Sequence, residues 1–162
     1  MAGLALLVLI ASAMGVVAAM AVDRDPHWVV VSDRTGGELA RASIAASDGF
    51  ALRYRNSVYE SIAEEQFEVL DGDQLNLVEL RADELAVLEE YYTAVGATRS
   101  EPGADRTWRI GVERPPIALP LPVQATALGQ RTLLASGQEI ELWRLVANRD
   151  DTLVVLTIEG SE

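Results

Sequence analysis

Residues 50–70, FALRYRNSVYESIAEEQFEVL, read as two β-strands folded back on one another. On the first strand the alternation puts Phe50, Leu52, Tyr54, Asn56 and Val58 on one face, and Ala51, Arg53, Arg55, Ser57 and Tyr59 on the other. A reversal at Glu60 and Ser61 sets Leu52 against Val69, Tyr54 against Phe67, Asn56 against Glu65 and Val58 against Ala63. An amide and a carboxylate then face each other within an apolar row. The same register sets Arg53 against Glu68, Arg55 against Gln66 and Ser57 against Glu64 on the other face, where no like charges collide. Asn56 and Glu65, with Ser57, Glu64, Arg53 and Arg55 across the sheet, are therefore the candidate binding residues. They either hold a ligand through the amide and carboxylate, or Asn56 and Glu65 satisfy one another as a structural plug.

Strand patterns continue on both sides of this hairpin. His27 to Asp33 (HWVVVSD) reads as a strand, and Gly36-Gly37 turns it into a second from Glu38 to Ala45. Ser47-Asp48-Gly49 leads into the central hairpin, and Asp71-Gly72-Asp73 leads out of it into a strand from Gln74 to Arg81. Asp71 and Asp73 have the opening spacing of a calcium loop, but Leu75 stands at the next ligand position and the glycine is misplaced, so a plain turn is the better reading. From Asp83 the period changes: Leu85, Leu88, Tyr92 and Val95 share a helical stripe, which Asp83 caps and Gly96 closes. Thr98 to Thr107 has loop composition and is long enough to cover a site. Trp108 to Val112 resumes as a strand, and Pro115, Pro116, Pro120 and Pro122 force an extended path along a sheet edge. The remainder reads as strands at Gln130 to Ala135, Glu139 to Val146 and Thr152 to Glu159. The expected fold is mainly β, an antiparallel sandwich or barrel with one helix.

Ahead of this body, Ala2 to Val22 carries no charge and is long enough to cross a bilayer as a helix, which takes about 20 residues. We read residues 1–22 as a membrane anchor or signal segment and residues 23–162 as one β-rich domain outside the cytoplasm. The segment lacks a basic n-region and exceeds a usual signal core, which favours an uncleaved single-pass anchor. Cleavage near Ala21, after Ala19-Met20-Ala21, would instead export the domain.

The formal net charge of -12 and pI near 4.4 argue against a nucleic-acid partner, which normally requires a basic patch. Every basic residue but His27 is an arginine, a balance that suggests a high-GC genome and a salt-rich habitat in which an acidic coat keeps a protein soluble. With no cysteine there is no disulfide, thiolate metal site or lipid attachment. His27 is the single histidine, so a Ser-His-Asp system has one conceivable base and no supporting spacing. No phosphate loop, nucleophile elbow, zinc helix or dinucleotide fingerprint is present, and no cofactor or metal is expected.

The stretches YRNSVYESIAEEQFEV, DGDQLNLVEL and GQEIELWRLV…DDTLVVLTI resemble a prokaryotic family of unknown activity, domain-of-unknown-function family eighteen-fifty. The resemblance spans most of Phe50 to Ile158. It implies a small extracytoplasmic protein with a hydrophobic N-terminal segment, an accessory to permeases of the TRAP type and their TAXI-class solute receptors. The family signature runs His-Ser-Val-Glu and then a glutamate before an aromatic. Here Asn56-Ser57-Val58-Tyr59 and Glu65-Gln66-Phe67 stand in those places, with the first acid absent or displaced to Glu60. An amide in place of the imidazole removes a base near neutral pH, which argues against an inherited metal or proton-transfer role. The helix from Asp83 also replaces the shorter glycine-rich loop that the resemblance implies. The functional expectation is a non-enzymatic accessory or binding module of such a transporter. The alternatives are an envelope structural or assembly protein without a ligand, and a hydrolase or lyase using Glu65 as base.

Overall fold

The computed structural model describes residues 27–44, 49–70, 73–146 and 151–160. The apolar segment 2–22 and residues 45–48 and 71–72, which carry the expected turn sequences, lie outside the described residues. Among the described residues no helix is long and apolar enough to cross a membrane.

The chain forms two antiparallel sheets. The smaller is built from β1 (His27–Ser32), β2 (Glu38–Ile44), β9 (Leu121–Gln124) and β12 (Leu153–Gly160), in the order β2-β1-β12-β9. The larger contains β3 (Phe50–Arg55), β4 (Ile62–Val69), β5 (Gln74–Ala82), β6 (Thr98–Arg99), β7 (Trp108–Gly111), β10 (Thr132–Ala135) and β11 (Gln138–Glu141). Its order is β11-β10-β3-β4-β5-β7-β6, and β8 (Ile117–Ala118) pairs with β5. Val29, Val31 and Leu156 from one sheet and Leu52, Leu80 and Leu133 from the other belong to one buried cluster. The alternation of each strand supplies that shared core, and the two-sheet arrangement agrees with the sandwich expectation.

Turn chemistry fixes the hairpins. Asp33 Oδ1 accepts the N–H groups of Thr35 and Gly37, and Gly36 at φ 88° completes the β1–β2 reversal. Ser136 and Gly137, at φ 45° and 76°, give the paired positive angles of a type I′ turn between β10 and β11. The proline-rich segment behaves as its composition predicts. It crosses from β8 on the larger sheet to β9, whose Pro122 sits on the outer strand of the smaller one.

Three expectations are corrected. The central hairpin is formed by β3 and β4, but its register places Phe50 opposite Phe67, Leu52 opposite Glu65 and Tyr54 opposite Ala63. The chain turns earlier than Glu60-Ser61. Asn56 Oδ1 accepts the N–H groups of Val58 (3.0 Å) and Tyr59 (3.1 Å), while Asn56 N–H donates to the Ser61 carbonyl at 2.8 Å. Asn56 therefore starts the turn, and every partner on β4 moves by four residues relative to the expected register. The helix from Asp83 is also shorter than its stripe. The Asp83 carboxylate pairs with Arg106, and the backbone widens into a π-type turn at Val87–Tyr91. Thr93 at φ 53° stops it, and Ala94 N–H closes on the Leu88 carbonyl. Widening to i→i+5 spacing buries Val87, Leu88 and Tyr92 and leaves Val95 exposed. Finally, the strand expected from Glu139 to Val146 ends at Glu141, and Leu142–Leu145 forms one α-helical turn whose Leu142 reaches the core.

Candidate functional site

The face of the larger sheet that meets the core carries one carboxylate. Glu65 lies on β4 between Leu52 of β3 and Leu80 of β5, so the strand register alone aims an acid at an apolar layer. Leaving it unpaired there would cost several kcal/mol, about 3 to 5 when fully buried. Its partners come from two distant segments. Arg131, just ahead of β10, places Nη1 3.1 Å from Glu65 Oε2, and the π-turn delivers Tyr92, whose hydroxyl donates to Glu65 Oε1 at 2.6 Å. Tyr54 donates in turn to the Tyr92 hydroxyl at 2.7 Å, and the Arg131 guanidinium lies 4.8 Å from the Tyr54 ring centre. Arg114 closes the far side, donating to the Tyr92 carbonyl at 3.1 Å.

Burial pushes the Tyr54 phenol up to about 12, an effect that the Glu65 charge reinforces and the Tyr92 hydrogen bond opposes. Burial raises Tyr92 further still, and the adjacent Glu65 carboxylate adds to it. Both phenols thus stay protonated in the fold where the unfolded chain ionises near 10. The contribution of Tyr54 is complete below about pH 10 and is lost as pH rises through 12, and that of Tyr92, raised further, is likewise complete below about pH 10 and is lost above it. With no lysine and no cysteine, the phenols dominate titration in this window. The unfolding free energy from urea titration is expected to fall between pH 9 and pH 11, by up to about 1.4 kcal/mol per pH unit for each buried phenol above pH 10. Tyr92→Phe should flatten that slope, and a profile already flat in the wild type would contradict the assignment.

The opposite, outward face of the same strands carries a second charged array. Arg53 Nε and Arg106 Nε both donate to Glu64 Oε1, at 3.0 and 3.2 Å. Arg53 reaches on to Glu139 at 3.2 Å and Arg106 to Asp83 at 3.4 Å. Glu64 is only 4 % exposed although it is on the outer face, because the loop between β6 and β7 folds down and seats Arg106 on it. That loop was expected as a cover, and Ser100 N–H to the Thr107 carbonyl ties its base. Beside Glu64 a cleft of about 350 Å³ opens, walled by the β10–β11 hairpin and by Asp105.

The residues singled out from sequence thus divide among three places. Asn56, 5 % exposed, shapes the turn and does not face Glu65. Ser57 is exposed within that turn, and Arg55 pairs with Glu60 at 3.4 Å. Glu65 belongs to the inward cluster, while Arg53 and Glu64 pair with each other on the outward face, where Glu68 and Ser57 had been their expected partners. Sequence reading missed Tyr54, Tyr92, Arg131 and Arg106 as polar partners. The one available signal was a single acid on an apolar face, which demands a donor without saying which. Among the described residues no group of three or more histidines, aspartates or glutamates is placed to hold a metal ion. Comparison with protein-family models, with curated proteins and with solved structures returns no match.

Proposed function

We propose that the chain is a non-enzymatic accessory module, anchored to the membrane or exported, that docks on a component of a TRAP-TAXI type solute transporter. The observation that best supports a binding role over catalysis is the engagement of both central carboxylates. Glu65 is held by Arg131 and Tyr92, and Glu64 by Arg53 and Arg106. A general base needs a free lone pair facing its substrate proton. The uncharged run at residues 2–22 and the family resemblance support the address and the transporter association.

A docking surface is available at the end of the larger sheet where β3 and β5 finish and β4 and β10 begin. Val58 in the β3–β4 turn, Tyr91 in the π-turn and Leu128 ahead of β10 are 77 %, 60 % and 61 % exposed. Gly129, next to Leu128, accepts the Arg55 N–H, and the Tyr91 ring lies 6.4 Å from Tyr54, so these segments adjoin. Exposed apolar side chains gathered at one end are a feature of protein-contact surfaces. The test is affinity isolation of the tagged full chain from detergent-solubilised membranes of its own host. Co-isolation of a permease subunit or its solute receptor is expected, and Tyr91→Glu with Leu128→Glu should abolish it while leaving the unfolding midpoint unchanged. A chain that emerges without any transporter component would overturn the proposal.

A further inference from the structure

The exposed apolar surface at Val58, Tyr91 and Leu128 and the start of β1 lie at opposite ends of the sandwich. His27 pairs with Gly160 at one end of β12, and β9 finishes opposite the other end, with Gln124 against Leu153. β12 is 8 residues long, so these two ends are about 23 Å apart at ~3.3 Å per residue. Ala125 N–H bonds the Thr152 carbonyl one step farther out, before Thr126 to Gln130 turn the chain back with Leu128 in their middle. The surface is also held in shape. The Tyr91 ring meets Tyr92 edge-on at 5.0 Å, and the Tyr92 hydroxyl is fixed on Glu65. In the Leu128 turn, Thr126 accepts the Gly129 N–H on its hydroxyl and the Gln130 N–H on its carbonyl. Side chains mounted in this way lose little freedom on docking, which suits a protein partner.

The length of chain ahead of β1 limits where that surface can point. Only residues 23–26 separate the uncharged run ending at Val22 from His27, and that stretch spans at most about 18 Å. When the run crosses a bilayer, the headgroup layer takes up about 5 to 7 Å of it. His27 then stands within about 13 Å of the membrane surface, whereas turning Leu128 toward the lipid would lift His27 by about 23 Å. The apolar surface therefore faces water.

We propose, resting on the anchored, transporter-docking role above, that this surface receives a water-soluble protein arriving from outside the membrane, the solute receptor, and not the bilayer or the membrane-embedded permease. The domain acts as a short pillar. Its His27 end stays at the headgroups, and its Tyr91 and Leu128 end holds the receptor off the membrane.

The chain has no cysteine, so a single introduced thiol marks one position cleanly. Leu128→Cys and Glu159→Cys, both at exposed positions, are each labelled with a donor dye, and the full chain is reconstituted into phosphatidylcholine vesicles that carry a headgroup acceptor. Energy transfer is expected to place position 128 about 20 Å farther from the headgroups than position 159. Equal distances, or a shorter one at 128, would overturn the proposal. In membranes of its own host, the full chain with benzoylphenylalanine in place of Leu128 should crosslink on illumination to the solute receptor. Crosslinking to a permease subunit and not to the receptor overturns the proposal while leaving the transporter-docking role in place. Crosslinking to no transporter component overturns both.

Discussion

Gly49→Ala is expected to lower the unfolding free energy by about 3 kcal/mol or more, a loss at the severe end for a single methyl group. Gly49 leads into β3 at φ 61°, and a Cβ there would lie 1.8 Å from the Phe67 carbonyl oxygen and 2.9 Å from its carbon. Neither atom can yield by rotating a side chain. The backbone of β3 must pull away from β4, opening the ladder at Phe50 and Phe67, whose stacked rings are 5.3 Å apart. Gly36→Ala supplies the control, since Gly36 has φ 88° but open space around the added methyl. That variant bears only the backbone strain, about 1 kcal/mol. The two differ by the clash alone, so equal shifts in their urea midpoints would show that β3 relaxes without loss.

Glu65→Ala is expected to cost about 2 to 3 kcal/mol, read from urea unfolding followed by tryptophan fluorescence. The substitution strips Arg131 of its carboxylate and leaves the Tyr92 hydroxyl without its acceptor. The Glu65 and Arg131 side chains retain 16 % and 22 % exposure, so water softens the loss below the figure for a fully enclosed pair. Adding Arg131→Leu to Glu65→Ala should recover part of the stability, because an unpaired charge is then removed from the core margin. A loss below about 0.5 kcal/mol for Glu65→Ala would mean that the cluster does not hold the domain together and that the carboxylate is kept for a ligand.

The hydrophobic alternation made most strands legible: β1 and β2 around Gly36-Gly37, β5, β10 and β12 all form close to where periodicity places them, whereas β11 stops at Glu141. It also assigned Leu52, Tyr54, Glu65 and Phe67 to one face correctly, since the register error of four residues preserves the side of the sheet. The error itself came from treating Asn56 as a strand residue. Its amide oxygen competes for two backbone N–H groups ahead of it, which is a turn signal. The helix failed differently, because a 3.6-residue stripe carries no mark of a π-widening that a tertiary partner stabilises. Arg131 and Arg106 could not have been matched to Glu65 and Glu64 from the sequence. They are 66 and 42 positions away, and only the sheet order brings them near.

The strand order of the smaller sheet has a mechanical corollary. β1 is flanked on both sides, by β2 and by β12, with His27 opposite Ile44 on one flank and Gly160 on the other. Tension arriving through the polypeptide ahead of His27 therefore loads two hydrogen-bond ladders in shear at once, where a marginal strand would peel one rung after another. Any tether attached at that end grips the domain by a strand paired along both edges.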